Sequence, residues 1–280
     1  MNKIKVFKSD EGRDRIRKYY NGILSFFPFR QKYVDTSFGK TFVLEAGQPG
    51  YPALVLLHGS CSNSAMWLGD IPVLMSNFHV FAVDTLGEAG NSEETRLDID
   101  TDEYTRWLSE LLEKLDISQA VIMGNSMGGW LALHFAAAFP KRTSALVLLA
   151  PAGIVPARQS FLAKTANISE DPDSAASVKN AIFADTAVPK EVMEFMSLVM
   201  ADFNPITGAF WVLSDEQMRN LTMPVLMIAG KDDITTDTKE AAKRLAKFVP
   251  HARIDLIEGS HVIINTAATV MPFLLMKENS

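Results

Sequence analysis

The sequence has 280 residues, 48% of them hydrophobic, enough to close a full core as one large α/β domain or two small ones. A formal net charge of −6 leaves no basic footprint, which argues against nucleic acid as a partner. The single cysteine, Cys61, excludes an internal disulfide and a cysteine-based zinc site and fits a reducing cytoplasm.

No apolar run reaches the ~18–20 residues of a membrane span. Lys3, Lys5 and Lys8 are followed by acidic residues, and the apolar patch Ile23-Leu24-Ser25-Phe26-Phe27 is stopped by Pro28, so the N-terminus makes a poor signal peptide. Ser9 to Leu24 predicts an amphipathic helix, with Ile16, Tyr19, Tyr20, Ile23 and Leu24 at helical spacing. A membrane-surface helix shares that pattern, but Asp10, Glu11 and Asp14 favour packing on the flank of a domain. Lys32 to Ser37 and Thr41 to Ala46 predict a hairpin turning at Phe38-Gly39-Lys40.

Pro52 to Leu57 is an apolar run that predicts a buried strand, ending in His58-Gly59-Ser60-Cys61. Phe78 to Val83 predicts another, ending in Asp84, and Tyr104, Trp107, Leu108, Leu111, Leu112 and Leu115 mark one face of a helix. Ala120 to Met123 is again strand-like, and Gly129 to Phe139 predicts a buried helix. Between them stands Gly124-Asn125-Ser126-Met127-Gly128. A Gly-x-Ser-x-Gly at a strand-to-helix turn is the context of a nucleophile elbow. Such a turn holds its serine at φ > 0, at a cost of ~1–3 kcal/mol, and the glycines remove side chains that would meet the crossing elements. The following helix offers free N–H groups and a positive dipole end, so the Met127 N–H is a candidate oxyanion donor.

Ala145 to Leu149 is the next strand. Alternation then lapses from Gly153 to about Asp215, roughly sixty residues with Met193, Phe195, Met196, Val199, Met200 and Phe203 at helical spacing. That is too long for an ordinary loop and is expected to be a helical lid. Pro224 to Ala229 resumes the strands and ends in Gly230-Lys231-Asp232-Asp233. Ala241, Ala242, Leu245, Phe248 and Val249 give a helix face, and Ala252 to Ile257 a last strand, ending in Glu258-Gly259-Ser260-His261. A closing helix is expected at 270–277, with Pro272 in its first turn or kinking it. There is no internal repeat. The pattern predicts a mostly parallel sheet with helices on both faces.

In such a sheet, function gathers at the carboxyl ends of the strands. A serine hydroxyl needs a base, and the base a carboxylate, following the serine in the order acid then histidine. Of the five histidines, His58, His79 and His134 precede any such acid and His251 opens a strand. His261 alone meets both conditions. Asp232 and Asp233 both follow a strand at the right edge; Asp233, one step further into the loop, is the choice, with Asp232 left to cap or face water. After the strand ending at Ala150 no acid appears until Glu170. The second oxyanion donor is expected in the loop after Leu57, where Ser60 N–H is the best candidate. Cys61 reads as loop packing or pocket wall and Asp84 as structural turn chemistry.

Gly124-Asn125-Ser126-Met127-Gly128-Gly129, His58-Gly59, Gly230-Lys231-Asp232-Asp233 and Gly259-Ser260-His261 resemble, in order, the motifs of the α/β-hydrolase family over nearly the whole chain. Tyr19-Tyr20, Phe38-Gly39-Lys40-Thr41 and Ser214-Asp215-Glu216 look more narrowly like bacillus-type carboxylesterases. Two features depart from the family: the turn from Asp84 to Ser92 is a residue longer, and Pro272 interrupts the last helix. The resemblance implies the α/β-hydrolase fold, with core segments 1–152 and 216–280 around a lid at 153–215. It supports Asp233 as the acid, since the family's acid stands three residues after the glycine, and puts Ser60 and Met127 in the oxyanion roles. It implies ester hydrolysis of a small molecule through an acyl-enzyme, with no metal or cofactor. Carbon–carbon bond hydrolases, lactonases and perhydrolases share that machinery, and a ligand receptor could keep it without turnover. Substrate identity and oligomeric state have no signature in the sequence.

Overall fold

Strands that carry unbroken apolar runs and alternate with helices must be buried on both faces. The computed structural model of the chain, which describes residues 5–166, 172–183 and 188–276, has that arrangement. The strands are β1 (Arg30–Thr36), β2 (Gly39–Ala46), β3 (Ala53–Leu57), β4 (His79–Val83), β5 (Ala120–Asn125), β6 (Thr143–Leu149), β7 (Val225–Gly230) and β8 (Arg253–Ile257). They form one eight-stranded sheet in the order β1-β2-β4-β3-β5-β6-β7-β8. β1 pairs antiparallel with β2, and β2 with β4; all the other pairings are parallel. The winding reverses at β3, which lies between β4 and β5, so the loops leaving β3 and β5 emerge side by side.

The helices are α1 (Asp10–Leu24), α2 (Ile71–Leu74), α3 (Glu103–Lys114), α4 (Met127–Ala138), α5 (Gln159–Thr165), α6 (Pro172–Ile182), α7 (Lys190–Asp202), α8 (Asp215–Arg219), α9 (Thr238–Phe248) and α10 (Ala267–Leu275). Successive strand residues serve two cores. Val55, Ile122, Leu148 and Met227 pack with Trp107, Trp130, Met218 and Leu245 of α3, α4, α8 and α9. Leu54, Met123, Leu149 and Ile228 pack with Tyr20, Ile71, Leu74 and Val270 of α1, α2 and α10 on the other face. The two edge strands, β1 and β8, are the exceptions: in β8 Arg253 is exposed and Asp255 half-exposed, and in β1 Arg30 and Gln31 are exposed, polar edges that discourage further strand pairing.

Three expectations shift in detail. Gly39 pairs with Thr36, so the hairpin turns at Ser37-Phe38 and Gly39 already belongs to β2. The final helix begins at Ala267, which puts Pro272 past its first turn. The Asp70 carboxylate accepts the Ala267 N–H at 2.7 Å, a tertiary cap that local sequence does not reveal. Third, α1 is fastened to α7 as well as to the sheet. Arg15 forks onto the Asp202 carboxylate at 2.6 and 3.0 Å, and the Lys8 N–H donates to the Asp202 carbonyl at 2.8 Å. Gly12 permits this approach, since a Cβ there would lie 2.8 Å from that of Asp202. The segment between β6 and β7 holds α5 to α8. Its residues 167–171 and 184–187, with Glu170 among them, and Lys277 at the expected end of the last helix lie outside the described residues.

The loops above the sheet converge on Asp84, which is fully buried. Its carboxylate accepts from Tyr20 Oη at 3.0 Å, Ser64 N at 2.8 Å, Ser64 Oγ at 2.6 Å and Asn91 N at 2.8 Å. One side chain thereby joins α1, the loop after β3 and the loop after β4. Asp84→Ala orphans several buried donors at once and is expected to cost about 3 kcal/mol or more. A urea midpoint close to wild type would show that these bonds carry no weight.

Candidate active site

Ser126 sits between β5 and α4 with φ 51° and ψ −111°, a backbone conformation that L side chains rarely adopt. Hydrogen bonds fix it there. Its N–H donates to Leu149 O at 2.9 Å, and its own carbonyl accepts from Trp130 N at 2.9 Å and Ala152 N at 3.2 Å. The flanking glycines serve different contacts. A Cβ on Gly124 would fall on the Gly128 carbonyl, and one on Gly128 would fall on the Leu57 carbonyl at the end of β3. Met127 is the first residue of α4, so its N–H is among the donors with no acceptor inside the helix.

The loop after β3 passes beside this turn. A Cβ built on Gly59 would lie 3.4 Å from the Ser126 Cβ. His58 is wholly buried: its Nε2 accepts the Thr85 N–H at 3.0 Å, which leaves Nδ1–H to donate to Gly59 O at 2.8 Å. Ser60 follows, half-buried, and then Cys61 at φ 61°.

The turns after β7 and β8 interlock. Lys231 N donates to Ile257 O at 2.9 Å and Asp232 N to Gly259 O at 3.1 Å. Gly230 has no room for a Cβ because the Ser260 carbonyl occupies that place. This brings Asp233, 3% exposed, against His261, 8% exposed. Asp233 Oδ2 lies 2.8 Å from His261 Nδ1, and His261 Nε2 lies 3.0 Å from Ser126 Oγ. Burial raises the Asp233 pKa. The His261 hydrogen bond and charge, with two bonds from Thr235, outweigh that and hold the carboxyl below its ordinary range. An ionised carboxylate only accepts, so Nδ1 carries the histidine proton and Nε2 is free to accept from the serine hydroxyl. Asp232 instead is exposed to solvent; it lines, together with Asp233, Arg158 and Lys231, a cleft of about 390 Å³.

The remaining histidines are occupied elsewhere: His79 with Glu45, His134 with the Trp211 carbonyl and His251 with the Met223 carbonyl. Cys61 is buried, and desolvation followed by the nearby Glu88 pushes its thiol pKa up, so it carries no thiolate. Thr235 is a residue that sequence reasoning passed over. Its N–H and Oγ1 each reach Asp233 Oδ1 at 2.7 Å. The signal was present as an aspartate two residues before a threonine in a turn. Among the described residues, no cluster of His, Cys, Asp and Glu could hold a metal, and no helix is long and apolar enough to cross a membrane.

A strained serine between a parallel strand and a helix is hydrogen-bonded to a histidine–aspartate pair in the turns after the last two strands. The family model described as "Alpha/beta hydrolase family" matches residues 54–271. The chain belongs to the alpha/beta hydrolase family. This hydrolase is 30% identical over 269 residues to an uncharacterised carboxylesterase, nap, of Bacillus subtilis (strain 168), covering 91% of this chain and 88% of that protein. It is 25% identical over 269 residues to carboxylesterase YbfK of the same organism, covering 91% and 89%. The crystal structure of naproxen esterase (carboxylesterase NP) from Bacillus subtilis matches it with a TM-score of 0.82 at 26% identity, over 98% of this chain and 100% of that one.

For this hydrolase, Gly128→Ala would drive a methyl group into the β3 carbonyl. The expected outcome is a loss of about 1–3 kcal/mol or more of stability, read as a lowered Tm. A variant melting like wild type would mean that the elbow has slack.

Proposed function

We propose that this chain cleaves carboxylic esters by acyl transfer. Ser126 is the nucleophile, His261 the general base, Asp233 the orienting acid, and the backbone N–H groups of Ser60 and Met127 form the oxyanion hole. The observation that carries the reading is the unbroken hydrogen-bonded line from Ser126 Oγ through both ring nitrogens of His261 to a buried carboxylate, at 3.0 and 2.8 Å. The likeness to named carboxylesterases supports an ester as the substrate.

The steps follow from the geometry. His261 Nε2 takes the hydroxyl proton as Ser126 Oγ bonds to the ester carbonyl carbon. Asp233 keeps the imidazole in the tautomer that can accept and stabilises the imidazolium that forms. Negative charge gathers on the former carbonyl oxygen, where preorganised N–H donors stabilise it more than they stabilise the neutral ester. His261 then protonates the leaving alcohol. Water, deprotonated by the same ring, cleaves the acyl-enzyme and restores Ser126. We further propose that residues 153–215 form the lid over this site and supply the wall against which the acyl group rests.

Hydrolysis of short p-nitrophenyl esters tests the reading. Ser126→Ala is expected to lose ~10⁴-fold or more in kcat with its fold retained. Undiminished turnover by that variant would exclude Ser126 as the nucleophile, and tight binding of an ester-like ligand by a wild type that does not turn over would favour a receptor. Asp233→Asn should be severely impaired, because an amide can present the wrong group to Nδ1, whereas Asp232→Asn should keep nearly full activity. The reverse ranking would move the acid to Asp232.

A further inference from the structure

The proposed machinery leaves the buried acid Glu88 unused. Glu88, in the loop after β4, is 2% exposed. Its Oε2 accepts the backbone N–H of Cys61 at 2.6 Å, and among the described residues its Oε1 is buried without a hydrogen-bond partner. Cys61 is the residue next to Ser60 and is held at φ 61°, in the left-handed region that a residue with a side chain avoids.

Two peptide planes meet at Ser60. The plane before it contains the Ser60 N–H and is anchored through Gly59 O by His58 Nδ1. The plane after it is anchored through the Cys61 N–H by Glu88. An ionised carboxylate can only accept, so it requires an N–H to face it and repels the Ser60 carbonyl that a rotated plane would present. A protonated carboxyl can donate, and so admits the rotated plane. Once the anchor is lost, the backbone strain at Cys61 favours rotation, and Ser60 moves with it.

We infer that Glu88 is a positioning residue whose carboxylate holds the Ser60–Cys61 peptide and thereby aims the Ser60 N–H at the developing oxyanion, an inference that rests on the Ser126–His261–Asp233 reading. The charged and titratable groups facing Glu88 are the Arg96 guanidinium, the Tyr104 hydroxyl of α3 and the Cys61 thiol. Burial pushes the Glu88 carboxyl up to about 7, against the opposing pull of the Cys61 N–H and of Arg96. The holding form is the ionised one, so acyl transfer declines as pH falls through that value.

Steady-state kinetics on a p-nitrophenyl ester from pH 5 to 9 decide the matter. In the wild type, the acid-side fall of log kcat should carry a proton for Glu88 beyond the one that general-base catalysis itself imposes. In Glu88→Gln, of the same shape but without the ionisation, the fall should revert to a single proton. Glu88→Leu, which removes the acceptor, should lose about tenfold or more in kcat, short of the ~10²–10³ for outright removal of an oxyanion donor, with KM nearly unchanged. Its affinity for a boronic acid transition-state analogue should fall in parallel. A one-proton limb in the wild type would overturn the proposal even if neither variant folds, and so would a loss confined to KM. An inactive Ser126→Ala beside a wild-type-like Glu88→Gln would sink this inference alone; an active Ser126→Ala would sink the reading beneath it.

Discussion

The turn at Ser126 is a constraint that the surrounding fold must satisfy. Its backbone sits in a sparsely allowed region, which only an over-determined surrounding can maintain. That surrounding comes from three directions. β6 accepts the Ser126 N–H through Leu149, the turn just after β6 donates to its carbonyl through Ala152, and β3 closes against Gly128. The reversal of strand order at β3 is what places β3 and β5 side by side, with their loops meeting above the sheet. A change of one residue in register on either strand would separate the serine from the His58–Cys61 loop.

The two buried acids near this turn are tuned in opposite directions. Asp233 has a folded-state pKa below its ordinary value, so it adds stability above its unfolded pKa and loses that contribution as pH falls through the folded one. Glu88 has a folded-state pKa of about 7, above the ordinary value, so its contribution is present at low pH and is lost as pH rises toward neutrality. The charged Glu88 is thus maintained at a cost in stability. Such costs are common where a group serves a site rather than the fold.

The helical insertion is not attached by its ends alone. α7 is locked to the N-terminal segment through Asp202 and through the edge-on pair Phe7–Phe203, with ring centroids 5.7 Å apart. The returning segment of the insertion is clipped to α4, where Trp130 Nε1 and His134 Nε2 both reach the Trp211 carbonyl, at 3.0 and 3.1 Å. Phe195, Met196, Val199 and Phe203, which the sequence shows at helical spacing in and just after α7, pack toward Val6, Phe7 and Ile16. Much of the apolar face of α7 is therefore core, and any substrate wall must draw on what remains.

The central strands were legible because a sheet covered on both faces needs nearly every residue there apolar, and the serine turn because its glycines answer a steric demand that is local in sequence. Ser126, Asp233 and His261 stood out through turn motifs at strand ends, and they are the residues that hydrogen-bond to one another in the fold. Other features rest on pairings between distant segments that leave no periodic trace. Asp84 was readable only as a turn residue, though it gathers three segments, and Glu88 and the Asp202 anchor of α1 carried no signal that singled them out. Apolar periodicity and turn chemistry act within a few residues of themselves, so the chain alone determined its elements and its chemical candidates. Which buried polar group meets which donor depends on the closing of the sheet, and that the tertiary structure alone decided.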